Sequence, residues 1–421
     1  APNAQTGWGA DALLWQAMAK ENMVRAWKRV KANKGSAGVD GRTVQATGQY
    51  LKTAWPEIRK RVLDGSYRPN PVRRVCIPKP GGGTRELGIP TVLDRLIQQA
   101  LLQVLQPLID PTLSEHSHGF RPGRSAHGAV LQAQRYVQAG LGIVVDVDLE
   151  KFFDHVNHDI LMDRLAKRIA DKRVLKLIRL YLQAGILGQD DGGVRHEGTP
   201  QGGPLSPLLA NVLLDEVDRE LERRGHRFVR YADDCNVYVR SQRAGERVLQ
   251  ALRKCYAKLA LKVNEAKTAV GPVRGRKFLG YCFWFTSKGE VRRAVATQAL
   301  NKMRARIREL TSRTRGRSLM QVVDDLRRYV PGWRNYFILA QTPRVLRSQD
   351  EWVRRRLRML MLKQWRRGST IYRELCQLGA SPELSARVAG GSGRWWHQSK
   401  DTVHGVLTVA YFDGLGVPKF S

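Results

Sequence analysis

RFVRYADDCNVYVR, residues 227–240, places two alternating, β-favouring runs, Arg227–Tyr231 and Asn236–Arg240, on either side of Ala232-Asp233-Asp234-Cys235. Such a pattern reads as a β-hairpin with acids at its tip. A second acidic stretch, GIVVDVD at 142–148, is a β-branched run in which polar residues enter only at the end. That is the pattern of a core strand delivering acids to a rim. Asp146 and Asp148 are two apart and share a face. If these groups converge they repel: two carboxylates about 4 Å apart oppose each other by about 4 kcal/mol at an effective dielectric near 20. A divalent cation relieves that repulsion. A hard ion with all-oxygen ligands and room for substrate phosphates is Mg2+ rather than zinc. Two such ions would activate an attacking hydroxyl and stabilise a leaving oxygen at phosphorus. Asp-Asp in a hairpin is also ordinary turn chemistry, so this stretch alone leaves both readings open.

Outward from the acids, the pattern is mixed helix and strand. Apolar residues from Asp11 to about Lys34 recur at broadly helical spacing, with Gly35 just beyond, and a second helical stretch follows. Residues 71–88 read as a basic hairpin turning at Gly81-Gly82-Gly83, and Thr91 caps a long apolar helix. Further helices are expected over His158–Ala170 and Lys172–Ala184. Ser206-Pro207 reads as a side-chain cap followed by Pro at the first helical position of a helix that ends at Gly225. Beyond Gly280 the expectation is mainly helical and Arg-rich.

Composition narrows the partner. There are 72 Lys+Arg against 38 Asp+Glu, a net charge of +34, the sign that attracts a polyphosphate. From Phe285 to Ser421 there are 27 basic and 10 acidic residues, so the last third is the densest in positive charge and suits phosphate contact. Charge alone leaves a structural RNA-binding protein and an enzyme equally open. Five cysteines with no C-x-x-C pair disfavour a disulfide framework or a zinc finger and fit a reducing compartment. No apolar run approaches the roughly 18 residues of a membrane span.

The order of motifs then carries a resemblance. YADD (231–234) matches the Y-x-D-D signature of reverse transcriptases, and DLEKFFD (148–154) is similar to their first catalytic motif. IPKPGGGTRELGIP (77–90), GFRPGRSAH (119–127), QGGPLSP (201–207), LKVNEAKT (261–268) and FLGY (278–281) follow the same collinear order. With TPQGGPLSPLLAN and GWRNYF (332–337), the chain most resembles bacterial group II intron reverse transcriptases, or maturases, of the compact class without an endonuclease domain. Second-strand cleavage is therefore not expected.

The resemblance implies roles. Asp148 and Asp233 would hold two Mg2+ ions, with Mn2+ able to substitute, and Asp234 would complete or tune the site. Asp146 would support them from behind. Phe153 occupies the steric-gate position, where a ring under the sugar would clash with a ribose 2′-OH. Lys79 and Arg85 would contact the dNTP triphosphate, Gln201 and Gly202 would lie under the template base and nucleotide, and Lys267 would face the pyrophosphate leaving group. Arg121, Arg124, Arg354, Arg355, Arg358, Lys363 and Arg366 would contact nucleic acid, the last five from a basic amphipathic helix of the thumb. The expected architecture is an α+β right-hand polymerase. It has an N-terminal extension and fingers over 1–140, an antiparallel palm over 141–285, a helical thumb or maturase domain over 286–380 and a small basic tail over 381–421. The expected reaction is RNA-directed DNA synthesis in a bacterial cytoplasm, on an RNA template with a DNA or RNA primer and dNTPs, with binding of group II intron RNA. Monomer and dimer both stay open. A non-catalytic splicing factor and a domesticated reverse transcriptase are the rival readings, and retention of Asp148, Asp233 and Asp234 favours activity.

Overall fold

The computed structural model describes residues 12–78, 84–184, 197–199, 202–400 and 403–421, and for Arg85 only the backbone. The chain divides after Pro272 into two compact units.

In the first unit the elements are α1 (Ala12–Ala17), α2 (Lys20–Ala32), α3 (Val44–Asp64), β1 (Arg73–Pro78), β2 (Thr84–Ile89), α4 (Val92–Ile109), α5 (Ala126–Gln138), β3 (Ile143–Val147), α6 (His158–Ala166), α7 (Lys172–Gln183), α8 (Ser206–Arg223), β4 (Arg227–Tyr231), β5 (Asp234–Val239), α9 (Gln242–Lys258) and β6 (Ala269–Pro272). Short polar side chains start most of the helices by accepting orphan amides. Thr43, Thr91, Ser125, Asn157, Asp171 and Ser241 do so for α3, α4, α5, α6, α7 and α9. The expected opening helix is two helices, broken at Met18-Ala19. The expected Ser206 cap is also corrected. Leu205 is the N-cap, Ser206 is the first helical residue, and its hydroxyl accepts from Thr199 Oγ1 at 3.1 Å.

The basic hairpin is β1 paired antiparallel with β2, Arg73 opposite Ile89 and Pro78 opposite Thr84. Cys76, on β1, is exposed, whereas Cys235, on β5, is fully buried. The central sheet runs β4-β5-β3-β6, all antiparallel. One core joins α1–α4, the sheet and α6–α9, with the apolar face of α8 (Leu208, Leu209, Val212, Leu213, Val217) at its middle. Burying each such side chain stabilises by about 1.5–3 kcal/mol, so this core, not the rim acids, holds the sheet.

The second unit opens with β7 (Lys277–Phe278), β8 (Tyr281–Phe285) and β9 (Val291–Val295), a three-stranded antiparallel sheet. It continues as α10 (Thr297–Leu310), α11 (Leu319–Tyr336), α12 (Pro343–Trp365), α13 (Gly368–Gln377), α14 (Pro382–Gly390), α15 (Trp395–Gln398) and α16 (Val409–Gly414). The strands correct the expectation of helix beyond Gly280: YCFWF is aromatic and alternating, and Gly289, at φ 78°, closes the turn to VRRAV. These strands also belong with the helices that follow, since Tyr281 stacks on Phe337 with centroids 5.2 Å apart. The division therefore falls at 272, before the boundary near 285 that the motifs suggested. The stretch 381–421 is not a tail. Val403, Leu407, Phe412 and Phe420 are buried in the same core as Leu326, Leu357 and Leu360.

Candidate active site

The register of the sheet assembles the acids. Val147 on β3 stands opposite Cys235 on β5, and Asp146 opposite Asn236. The ladder ends at the Val147–Cys235 pair, so Asp148, which follows Val147, and Asp234, which precedes Cys235, come to the same end of the sheet. Asp233 sits in the two-residue turn between Tyr231 and Asp234, which pair with each other. The hairpin is tighter than its sequence suggested, because β5 begins at Asp234 rather than at Asn236. All three acids thus lie at one end of one sheet, Asp148 and Asp233 half-buried and Asp234 exposed. Asp146 lies behind them. The buried Asn236 amide, in its hydrogen-bonding orientation, donates to Asp146 Oδ1 at 3.0 Å.

The segment after α9 clasps Asp148. Asn264 N donates to its carbonyl at 2.8 Å, and its own amide donates to Thr268 Oγ1 at 3.1 Å. That clasp carries Lys267 to the site, its Nζ 3.3 Å from Asp148 Oδ1. Both side chains keep solvent contact, so the pair is weak and can be exchanged for another cation. Among the described residues no group of three His, Cys, Asp or Glu side chains could hold a metal ion by itself. The donors at this end of the sheet are carboxylate oxygens, which suit a hard cation that keeps waters and substrate phosphates in its shell.

The turn itself is strained and braced. Ala232 has φ 58°, at a hairpin position where glycine is the usual residue. The left-handed conformation costs an alanine about 1–2 kcal/mol. Beneath it lies a fully buried ion pair. Arg230 donates from Nε and Nη2 to Asp218 at 2.6–3.0 Å, and from Nη1 to Ala232 O at 2.8 Å and Asn211 Oδ1 at 3.0 Å. Asn211 Nδ2 in turn donates to Gly119 O at 2.9 Å. A Cβ on Gly119 would stand 2.2 Å from Ala232 N, so only glycine allows this approach. Burial pushes the Asp218 carboxyl up while Arg230 pulls it back. A guanidinium does not deprotonate in proteins, so the carboxylate is its counter-charge and the ionised pair is the state that persists. Sequence reading missed this group. Its signal was there: Asn211 and Asp218 fall at i and i+7 among the apolar residues of α8, and Arg230 interrupts the apolar run of β4.

Of the adjacent phenylalanines, Phe152 is core, whereas Phe153 is half-buried and lines a cavity of about 490 Å3 with Leu87, Phe120, Gly202 and Pro204. Phe120 is 46% exposed, at φ 61°. Gly202 has φ 140°, and a Cβ there would be 2.8 Å from Gly88 O, so this loop lies against the fingers strand β2. Lys79, Gln201 and the Arg85 side chain lie outside the described residues.

The expected nucleic-acid contacts divide sharply. Arg121 is buried, paired to Asp110 at 2.8 Å and donating to Ser117 O at 3.1 Å, so it ties its own loop together. Arg354 and Arg358 are 4% and 3% exposed, and Arg354 pairs with Asp413 at 2.9 Å while Arg358 donates to Leu407 O at 2.8 Å. These three expectations are corrected, because a guanidinium whose donors serve the interior is not available to a phosphate. Arg124 donates to Glu115 O at 2.5 Å, Arg355 lies 3.9 Å over the Trp396 ring, and Lys363 donates to Arg313 O at 2.8 Å, each retaining some exposure. Arg366 is exposed just beyond the end of α12.

Acids at the end of an antiparallel palm sheet, behind a fingers hairpin, define the polymerase class with fingers, palm and helical thumb. Residues 77–283 match the family described as reverse transcriptase (RNA-dependent DNA polymerase), and residues 300–378 match the group II intron, maturase-specific domain. The chain thus carries a stretch similar to reverse transcriptases followed by one similar to the group II intron maturase-specific domain. It is 38% identical over 191 residues to Protein YkfC of Escherichia coli (strain K12), covering 44% of this chain and 50% of that protein. It is 37% identical over 195 residues to the group II intron-encoded protein LtrA of Lactococcus lactis subsp. cremoris, covering 46% and 32%. A putative COX1/OXI3 intron 1 protein of Saccharomyces cerevisiae is 32% identical over 203 residues, covering 48% and 24%. The chain spans half or less of the length of these relatives. Among the described residues no helix is long and apolar enough to cross a membrane.

Proposed function

We propose that this chain is an RNA-directed DNA polymerase of a group II intron, extending a DNA or RNA primer on an RNA template with dNTPs, and that it also binds intron RNA to assist splicing and mobility. The observation that carries the reading is the register pairing Val147 with Cys235, which brings Asp148 and Asp234 to one end of the sheet, with Asp233 in the adjoining turn. Their oxygens suit two Mg2+ ions, or Mn2+ in their place, which when bound would activate the primer 3′-hydroxyl and stabilise the leaving pyrophosphate. Asp148 and Asp233 hold the ions in this reading and Asp234 completes the set. Lys267, whose Nζ lies 3.3 Å from Asp148 Oδ1, would meet the pyrophosphate in this reading. Phe153, facing the cavity beside Gly202, supports selection against a ribose 2′-OH. Lys79, Arg85 and Gln201 are proposed for the nucleotide on the motif alone. Arg124, Arg355, Lys363 and Arg366 remain candidates for template or intron contact. The splicing role rests on the maturase-specific match, and a bacterial cytoplasm is proposed from the bacterial relatives and the five free cysteines.

Primer extension on an RNA template with dNTPs and Mg2+, for wild type and Asp233→Ala, tests this, with binding of both to the same duplex measured in parallel. Extension by wild type only, with binding shared, is expected. A wild type that binds but never extends, whatever the metal or primer, makes the RNA-binding splicing factor the better account.

A further inference from the structure

We propose that Arg230 is a positioning residue for Asp233, acting through the carbonyl of Ala232, and that Gly119 and Asn211 complete the same brace; this rests on the polymerase reading of the acidic site. Asp233 lies in the turn between β4 and β5, outside both strands. Its backbone direction is set by the preceding peptide, the one whose carbonyl belongs to Ala232. That carbonyl accepts from Arg230 Nη1 at 2.8 Å, in the interior. The same Nη1 reaches Asn211, whose amide holds Gly119 O, and Gly119 is pressed against the Ala232 amide on the other side. The turn is therefore gripped at both its N–H and C=O sides by groups that do not touch substrate.

The rest of Arg230 anchors that grip. Its Nε and Nη2 are spent on Asp218, in the middle of α8, and its backbone is laced to the loop before Gly119: Arg230 N donates to His116 O at 2.9 Å and Arg230 O accepts from His118 N at 2.8 Å. A planar fork reaches a carboxylate on one edge and two carbonyl-type oxygens on the other. An ammonium cannot do both. Lysine at 230 would keep the charge beside Asp218 while releasing Ala232, which separates positioning from charge balance. A purely structural ion pair predicts only a loss of stability; a brace for Asp233 predicts weaker metal binding at the acidic site.

The test compares wild type, Arg230→Lys, Gly119→Ala and, as a control for general destabilisation, Tyr67→Phe, which removes a 2.8 Å hydrogen bond to buried Asp94 in the fingers. Each is bound to a primer–template duplex and titrated with Mn2+ by electron paramagnetic resonance, and melting temperature and the Mg2+ dependence of primer extension are followed. Arg230→Lys and Gly119→Ala are expected to weaken metal binding by about tenfold or more, as loss of an outer support commonly does. Their kcat should fall with KM for dNTP little changed, and Tyr67→Phe should lower the melting temperature without shifting the metal midpoint. Should Arg230→Lys not fold, Gly119→Ala carries the test alone, because it disturbs the turn and leaves the ion pair intact. Metal midpoints that stay at the wild-type value in the folded variants overturn the proposal. A wild type that binds Mn2+ but never extends primers, with binding weakened in the variants, sinks the polymerase reading and leaves the positioning role standing.

Discussion

The hairpin at 227–239 and the helix α12 at 343–365 both concentrate charge in a short stretch, yet they use it in opposite ways. The hairpin lifts Asp233 and Asp234 to the rim and buries Arg230. The helix also buries arginines, but turns them inward: Arg354 and Arg358 serve Asp413 and a carbonyl inside the second unit. Both arginines sit where the long stem packs against an apolar core and the head finds an internal acceptor. A dense run of arginine in a sequence thus signals a phosphate grip only after its internal acceptors have been counted.

That contrast can be broken or sharpened by experiment, starting from the hairpin. Asp233→Ala should lower primer extension by on the order of 10³-fold or more, since metal-assisted stabilisation is worth several kcal/mol. Duplex affinity should be retained in a filter-binding assay. Extension near the wild-type rate would remove the hairpin from the chemistry altogether. On the other side of the comparison, Arg358→Ala should destabilise the protein by about 2–3 kcal/mol, read from urea denaturation, because it orphans the buried Leu407 carbonyl and loses the packed stem. Its duplex binding should keep the wild-type salt slope. A shallower slope with unchanged stability would mean that Arg358 reaches phosphate after all.

Phe153→Ala tests the cavity, and should cost roughly tenfold or more in the dNTP-over-rNTP ratio of kcat/KM. An unchanged ratio would make its ring simple packing. Arg366→Ala, at the exposed end of the helix, should weaken duplex binding modestly and reduce the slope of log affinity against log salt by about 1. The smallest effect concerns acid. Lys419 and Arg354 hold the Asp413 carboxyl below its ordinary value of 3.8. The sign follows: the stabilisation is present above that value and lost as pH falls through the lower folded pKa. Arg354→Ala should therefore flatten the acid limb of a stability–pH curve slightly, below about pH 4.

How much of this was legible depends on what kind of pattern a residue belongs to. The acids, the hairpin and the helix ends could be read because period-two alternation and capping chemistry are local, and local order survives in a linear string. Thr91 caps α4 as its residue type requires. The Arg230 brace was hidden because its parts, at 119, 211, 218 and 230, meet only through tertiary packing. Arg121, Arg354 and Arg358 were misread for the same reason: nothing near them in sequence shows that Asp110, Asp413 and Leu407 wait to receive them. The strands at 277–295 were missed because the arginines of the following helices dominated the reading. Alternation within YCFWF and the turn glycine were the better guide.

Cys76 on the fingers arm is the exposed thiol of the five, while Cys235 lies behind the acidic hairpin with burial pushing its thiol up to about 12. At neutral pH a maleimide dye would therefore couple first to the arm and leave Cys235 untouched. The unmodified sequence supplies its own attachment point for a fluorescent reporter, on the hairpin proposed to approach the triphosphate, so the arrival of each nucleotide could be followed as light before any bond is made.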